Sequence, residues 1–252
     1  MKWWARLWLL SAIFVVLAVL HPAQAADPDA LWHIVHDYCV PDQQEHADPA
    51  PCAKADLRGG YVVLKDARGA TQYLLIPTDR VTGIEDPALL RPDAPNYFAD
   101  AWRERGFTEQ AVGHPLPPDS VSLAVNSIYG RSQNQLHIHI DCLRPEVRDA
   151  LRARAATIGE SWAPFGDLAH HPYWAMGISG TELGDANPFK LLASGKPGAA
   201  VAMAEQTLVV APVEFGPGQP GFILLAGQHD AAQGNRGNGE ELQDHSCAVA
   251  RP

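Results

Sequence analysis

The sequence predicts an α+β fold: an antiparallel meander of strands with helices packed on one face. Three observations carry this reading. Residues 135–142 (QLHIHIDC) alternate polar and apolar with a period of two, as a strand with one apolar and one chemically loaded face does. Residues 60–65 and 72–77 are two more apolar runs, joined by Asp66-Ala67-Arg68-Gly69, a turn of hairpin character. Residues 96–113 and 145–158 instead carry apolar side chains at helical spacing.

Taken in order, residues 1–25 read as a targeting segment. Lys2 and Arg6 give a basic start, residues 7–20 are apolar apart from Ser11, and Ala23-Gln24-Ala25 offers a small-x-small cleavage site. The apolar run is short of the roughly 20 residues a spanning helix needs, although Trp3 and Trp4 suit a membrane interface. The segment is a cleaved export signal or an uncleaved N-terminal anchor. Either way it places the remainder at the periplasmic face of the inner membrane, or free in the periplasm. Residues 26–252 then form one domain, with a core of about 27–160 and a C-terminal lobe of about 161–252.

Residues 27–40 read as a helix that Asp27 or Asp29 can cap, with Leu31, Ile34, Val35 and Tyr38 at helical spacing. His33 and His36 on it read as surface residues. Residues 41–59, rich in Pro, Asp and Gln, read as a loop. Pro77 ends the second hairpin strand. The helix at 96–113 turns Phe98, Ala101, Trp102 and Ala111 inward and is weakened by Gly106. Residues 119–126 form a third strand. Ser127 to Ser132 make a tight connection into the histidine strand, expected over about 133–143. Pro145 sits just inside the next helix. Beyond it, residues 171–179, 200–210 and 221–227 read as strands and 188–194 as a short helix opened by Asn187-Pro188. Residues 228–239 read as a mobile Gly- and Asn-rich stretch, and 240–244 as a last helical turn.

The chain has 252 residues and a net charge of −10, which argues against a nucleic-acid partner. An anionic ligand must therefore be met by a local site. The four cysteines allow three pairings. In an exported chain two disulfides are the expected state. Cys39–Cys52 would close a short loop, and Cys142–Cys247 would clip the C-terminal tail to the end of the histidine strand. A zinc site is the other use of cysteines, but there is no Cys-x-x-Cys pair, and no metal or organic cofactor is expected.

His137 and His139 fall on one face of their strand, roughly 6–7 Å apart at Cα, so both reach one phosphate-sized group. A neutral imidazole can attack phosphorus and split one displacement into two. The second can donate to a non-bridging oxygen or move a proton. Ser132 and the amides of the Gly130-Arg131-Ser132 turn are placed to donate to phosphoryl oxygens. Asn126, at the end of the preceding strand, is placed to hold a sugar hydroxyl or the turn.

Asn126, Gly130-Arg131-Ser132 and Gln135-x-His137-x-His139 resemble the histidine triad superfamily of nucleotide hydrolases and transferases. The first triad position is here Gln135. A closer resemblance spans nearly all of the exported chain. GYVVLKD (60–66), QYLLIPT (72–78), VSLAVNS (121–127), GRSQNQLHIHIDC (130–142) and QDHSC (243–247) are similar to the bacterial CDP-diacylglycerol pyrophosphatases. That resemblance implies a histidine-triad-like meander and cleavage of CDP-diacylglycerol to CMP and phosphatidate at a membrane surface. It implies His137 as the nucleophile, His139 on the phosphoryl oxygens and Ser132 donating to them. Gln135 would orient His137 through its side chain, and Arg131 would meet the second phosphate. His245, beside Cys247, is a further substrate-binding candidate. Lys65, His170 and His171 read as structural. The residues after 160 suffice to complete the sheet within a monomer, whereas histidine triad proteins often do so by dimerising. Two other readings stay open: an exported nucleotide pyrophosphatase or transferase of broader specificity, and a non-catalytic lipid- or nucleotide-binding protein, for which Gln135 is the motive.

Overall fold

The computed structural model describes residues 27–250, so the targeting segment expected at residues 1–25 lies outside the described residues. Nine strands form one sheet among them. They are β1 (Lys54–Asp56), β2 (Tyr61–Lys65), β3 (Tyr73–Pro77), β4 (Val121–Val125), β5 (Ile138–Cys142), β6 (Ala163–Leu168), β7 (His171–Ser179), β8 (Gln206–Gly216) and β9 (Gln219–Gln228). They lie in the order β1-β2-β3-β5-β4-β8-β9-β7-β6, every pair antiparallel. The predicted hairpin is β2 and β3, paired from Tyr61↔Pro77 to Lys65↔Tyr73. The histidine strand β5 lies between β3 and β4.

β5 is shorter than expected. The chain before Ile138 leaves the ladder because its polar groups bond to the segment after β3: the Leu136 amide donates to the Val81 carbonyl at 2.6 Å, and the Gln135 side chain donates to the Asp79 carbonyl. β1 and β6 gave no strand signal, being three residues long in one case and interrupted by Pro164 and Gly166 in the other. The strand expected from residue 200 begins only at Gln206, after two short 3-10 turns.

The first helix also outruns its prediction. α1 (Ala30–His33) continues through a π-helical turn, Ile34–Cys39, into α2 (Val40–His46). Proline inside an α-helix clashes with the carbonyl four residues back. The wide π turn restarts the helix so that Pro41 falls in the first turn of α2. Tyr38, expected inward, is exposed, and Val35 and Cys39 are buried instead. Residues 96–113 split into α3 (Tyr97–Arg103) and α4 (Gly106–Val112). The break leaves the Glu104 carboxylate to accept from the Tyr61 hydroxyl and the Lys54 ammonium. Ala111, also expected inward, is exposed. α5 (Pro145–Arg154) and α6 (Pro188–Gly195) lie where predicted, the latter capped by the Asn187 side chain.

The expectation of one helical layer is incorrect: apolar groups pack on both sheet faces. Val63, Leu75, Leu123, Ile138, Ile140 and Leu208 face one large core with Phe98, Trp102 and Phe189. The opposite face carries two separate clusters. Val62, Leu64, Leu74 and Ile76 pack with Val35 and Cys39 of the first helix. Ala124, Val209, Ala211 and Leu225 pack with Val147 and Leu151 of α5. Between these clusters the middle strand presents His139 and Asp141, which alternate with its core-facing isoleucines. The site is therefore a polar seam between two apolar patches on one face of the sheet.

A strap from the C-terminal region crosses this seam. Residues 228–239, read as mobile, are packed: the Ser127 amide donates to the Gly237 carbonyl at 2.9 Å, and the Ser127 hydroxyl to the Arg236 carbonyl at 2.7 Å. Glycines on both sides of this contact serve close approach. A Cβ on Gly130 would lie 2.6 Å from the Gly237 carbonyl oxygen, and one on Gly239 would lie 2.8–2.9 Å from Thr207 and Val209. Both disulfides form in the preferred pairing, Cys39–Cys52 and Cys142–Cys247. Among the described residues no helix is long and apolar enough to cross a membrane.

Candidate active site

The seam brings His137, His139, Asn126, Gln72 and Glu240 together. His137, just before β5, is 8% exposed, and its Nδ1 lies 2.7 Å from the Gln135 backbone carbonyl. A carbonyl only accepts, so Nδ1 carries the ring proton and Nε2 keeps its lone pair. The His139 ring is 4.8 Å away, centroid to centroid, at 71°. The Gln72 amide donates to His139 Nδ1 at 2.9 Å, which puts the proton of a neutral His139 on Nε2. The two imidazoles are thus held in opposite tautomers, one offering a lone pair and the other an N–H. Burial pushes both rings below the usual imidazole range, His139 to about 3, so both are neutral at pH 7.

Glu240 closes the seam from the strap, on a short 3-10 turn, Gly239–Leu242. Its Oε1 lies 3.3 Å from His139 Nε2 and accepts from Asn126 at 2.6 Å. Its Oε2 accepts from Gln72 at 3.2 Å. The Gly239 amide donates to the Asn126 carbonyl oxygen at 2.8 Å, which fixes the orientation of that amide. Burial acts to raise the Glu240 carboxyl, but the His139 edge and the Asn126 and Gln72 amides outweigh it. The group sits below the usual carboxylate range, ionised.

At the far end of β5, Asp141 is fully buried. It accepts from the Thr71 hydroxyl at 2.6 Å and the Cys142 amide at 2.8 Å, and its other oxygen meets His245 Nδ1 at 2.6 Å. The Asp141 hydrogen bond raises the His245 imidazole above its ordinary value. The Cys142–Cys247 disulfide fixes the tail that carries His245 beside this carboxylate.

Three expected roles need correction. The Gln135 side chain does not touch His137; its amide donates to the carbonyls of Pro77 at 3.0 Å and Asp79 at 2.8 Å, and the orienting contact comes from its backbone. Arg131 is buried in a bidentate pair with Glu85 at 2.6 and 2.7 Å, which commits the guanidinium expected to meet a second phosphate. The amides of Gly130 and Arg131 donate to Ser127, not outward. Ser132 is exposed on the bend and makes no hydrogen bond among the described residues. Lys65 ties the hairpin loop by donating to the Asp66 and Gly69 carbonyls, as a structural residue does. His171 is likewise paired with Glu241.

Gln72, Asp141 and Glu240 were not assigned roles from sequence. Asp141 shares the alternation of the histidines and was the most findable. Gln72 only opens a strand, and Glu240 is one of two adjacent glutamates far along the chain. A cavity of about 10 Å³, room for about one water, is lined by His137, Asn126, Arg131 and Gln135. Among the described residues Gln135 Oε1 and Arg131 Nε are buried without a partner.

The fold and site define a protein of a particular kind: an α+β chain with two neutral, oppositely tautomeric histidines in a polar seam, one on the central strand and one just before it. The family model of the CDP-diacylglycerol pyrophosphatases matches residues 26–251. A curated relative from Yersinia pestis, CDP-diacylglycerol pyrophosphatase, is 43% identical over 249 residues, which cover 98% of this chain and 95% of the relative. The chain belongs to the CDP-diacylglycerol pyrophosphatase family.

Proposed function

We propose that this chain hydrolyses the pyrophosphate bond of CDP-diacylglycerol to CMP and phosphatidate through a cytidylyl-histidine intermediate, in phospholipid metabolism. The observation that carries the chemistry is the hydrogen bond from His137 Nδ1 to the Gln135 carbonyl, which leaves the lone pair on Nε2. Family membership supports the substrate. In this reading His137 Nε2 attacks the cytidine-linked phosphorus, forming a P–N bond. The bond to the bridging oxygen breaks, and phosphatidate departs with that electron pair. His139 Nε2–H donates to a non-bridging oxygen as charge builds there. Asn126 fixes Glu240 through Oε1 beside His139, and Ser132 donates from the bend. His245, held by Asp141 and raised above the usual imidazole range by that hydrogen bond, meets the second phosphate in place of Arg131. Water then releases CMP.

The reading extends to fold and place. The meander is taken as histidine-triad-like, with His137 in the middle position. The protein works at the periplasmic side of a membrane surface, where its lipid substrate lies. Two disulfides support an oxidising compartment.

The test is a panel of CDP-diacylglycerol, a CDP-alcohol without acyl chains and a dinucleoside diphosphate, with CMP release measured. CDP-diacylglycerol is expected to give the highest kcat/KM by a wide margin. Equal turnover of all three would overturn the lipid-nucleotide assignment.

Gln135→Ala separates the side chain from the backbone carbonyl. The carbonyl bond to His137 is retained, so kcat should change less than about tenfold. Losing two buried hydrogen bonds to the Pro77 and Asp79 carbonyls should cost about 1–3 kcal/mol. Thermal unfolding and kcat together check this. A collapse of kcat at unchanged stability would assign the side chain a part in the chemistry.

A further inference from the structure

We propose that Glu240 is the general base of the second half-reaction, the carboxylate that takes a proton from the water attacking the cytidylyl phosphorus. The proposal rests on the reading of His137 as nucleophile and adds what turns a nucleotidyl-histidine into free nucleotide.

The carboxylate is fixed by groups that orient it without neutralising it. Asn126 and Gln72 donate to its two oxygens at 2.6 and 3.2 Å, and among the described residues no Lys or Arg pairs with it. An ionised carboxylate beside the place of an anionic pyrophosphate opposes substrate binding. Glu240 also keeps a path to solvent, its side chain being 14% exposed. Each carboxylate oxygen accepts more than one hydrogen bond, so both retain capacity for water. His139 Nε2, the group that faces the phosphoryl oxygens in this reading, lies 3.3 Å from Oε1, which places the base beside the reacting phosphorus.

The step balances. In the intermediate, the His137 ring carries phosphorus on Nε2 and a proton on Nδ1 bonded to the Gln135 carbonyl. Water oxygen attacks phosphorus and passes one proton to Glu240. The P–N bond breaks with its electron pair returning to Nε2, so the ring leaves neutral in its starting tautomer. CMP departs and Glu240 yields its proton to solvent. The first half-reaction needs no base, because Nε2 of His137 begins unprotonated.

The decisive experiment is rapid-quench kinetics on the full-length enzyme with CDP-diacylglycerol in detergent micelles, ³²P in the cytidine-linked phosphate. Glu240→Gln is expected to release phosphatidate in a burst at the wild-type rate. Protein-bound label should then accumulate towards one per chain, while steady CMP release falls by about 10²–10³-fold. Azide, a nucleophile that needs no base, should restore release of the bound nucleotide as cytidylyl azide. Glu240→Asp, which keeps a carboxylate, should accumulate less label than Glu240→Gln. Slowing of the phosphatidate burst in step with CMP release, with no bound label, would overturn the proposal and make Glu240 a positioning residue for His139. Unchanged CMP release would also overturn it. Absence of bound label in every variant, with His137→Ala still active, would instead remove the covalent reading on which the proposal rests.

Discussion

His137→Ala is expected to abolish hydrolysis of CDP-diacylglycerol, lowering kcat/KM by about 10⁴-fold or more. The size follows from what the substitution removes. His137 Nε2 is a lone pair that its own backbone presents for attack, by way of the Gln135 carbonyl two residues earlier. His139 cannot replace it. Its Nδ1 is occupied by the Gln72 amide, and its Nε2 carries the proton. Exchanging the two roles would need both hydrogen-bond patterns to invert. The fold should tolerate the change, since His137 lies outside the ladder of β5 and belongs to none of the apolar clusters. Steady-state kinetics with circular dichroism check both parts. Activity within tenfold of wild type would remove His137 from the chemistry.

Loss of the Cys142–Cys247 disulfide is expected to have the largest effect on stability. It closes a separation of 105 residues, against 13 for Cys39–Cys52. Loop-closure entropy gives about 4–5 kcal/mol for the long loop and about 3 for the short one. The long clip should also matter for activity. It holds the strap that sets Glu240 over His139 and His245 on Asp141, and the Gln243 amide donates to the Ser122 and His139 carbonyls beneath it. Cys142→Ala/Cys247→Ala should lower both the unfolding temperature and kcat. Cys39→Ala/Cys52→Ala should lower stability less and leave kcat within a few-fold, because that clip joins the first helix to the loop before β1 and carries neither Glu240 nor His245. Denaturant unfolding and kcat for both pairs make the comparison. Equal kcat losses would contradict a specific role for the tail.

Much of the site's floor was legible because a strand's period of two is written directly into its residues. Gln72, Leu74 and Ile76 alternate with Tyr73 and Leu75, as His139 and Asp141 do with Ile138 and Ile140. The cysteine pairing was legible for a similar reason, since two of the four flank one short loop. Periodicity cannot report what comes from far along the chain. Glu240 reaches Asn126 across 114 residues and Gln72 across 168. The strap that carries it is rich in Gly and Asn, which reads as mobility when Gly237 and Gly239 in fact let the strap lie close on Ser127, Thr207 and Val209. Gln135 shows another limit. A residue-by-residue comparison assigns its side chain the histidine's task, but the orienting bond uses a carbonyl that every residue possesses. The His137 ring is therefore held in place whatever side chain stands at position 135. The Arg131–Glu85 pair was hidden in the same way, because nothing near Arg131 in sequence announces a carboxylate 46 residues earlier. The second helical layer was missed because the central strands are buried on both faces, and their outward residues are partly polar.

The most direct measurement is the site of covalent attachment during turnover. Enzyme mixed with CDP-diacylglycerol labelled in its cytidine-linked phosphate is quenched within the first turnover, digested under alkaline conditions that preserve phosphoramidates, and mapped by mass spectrometry. The account predicts a single cytidylyl adduct on His137, carrying the label, lost on acid treatment and absent from His137→Ala. Label on any other residue, or hydrolysis at the wild-type rate with no adduct in the first turnover, would contradict it.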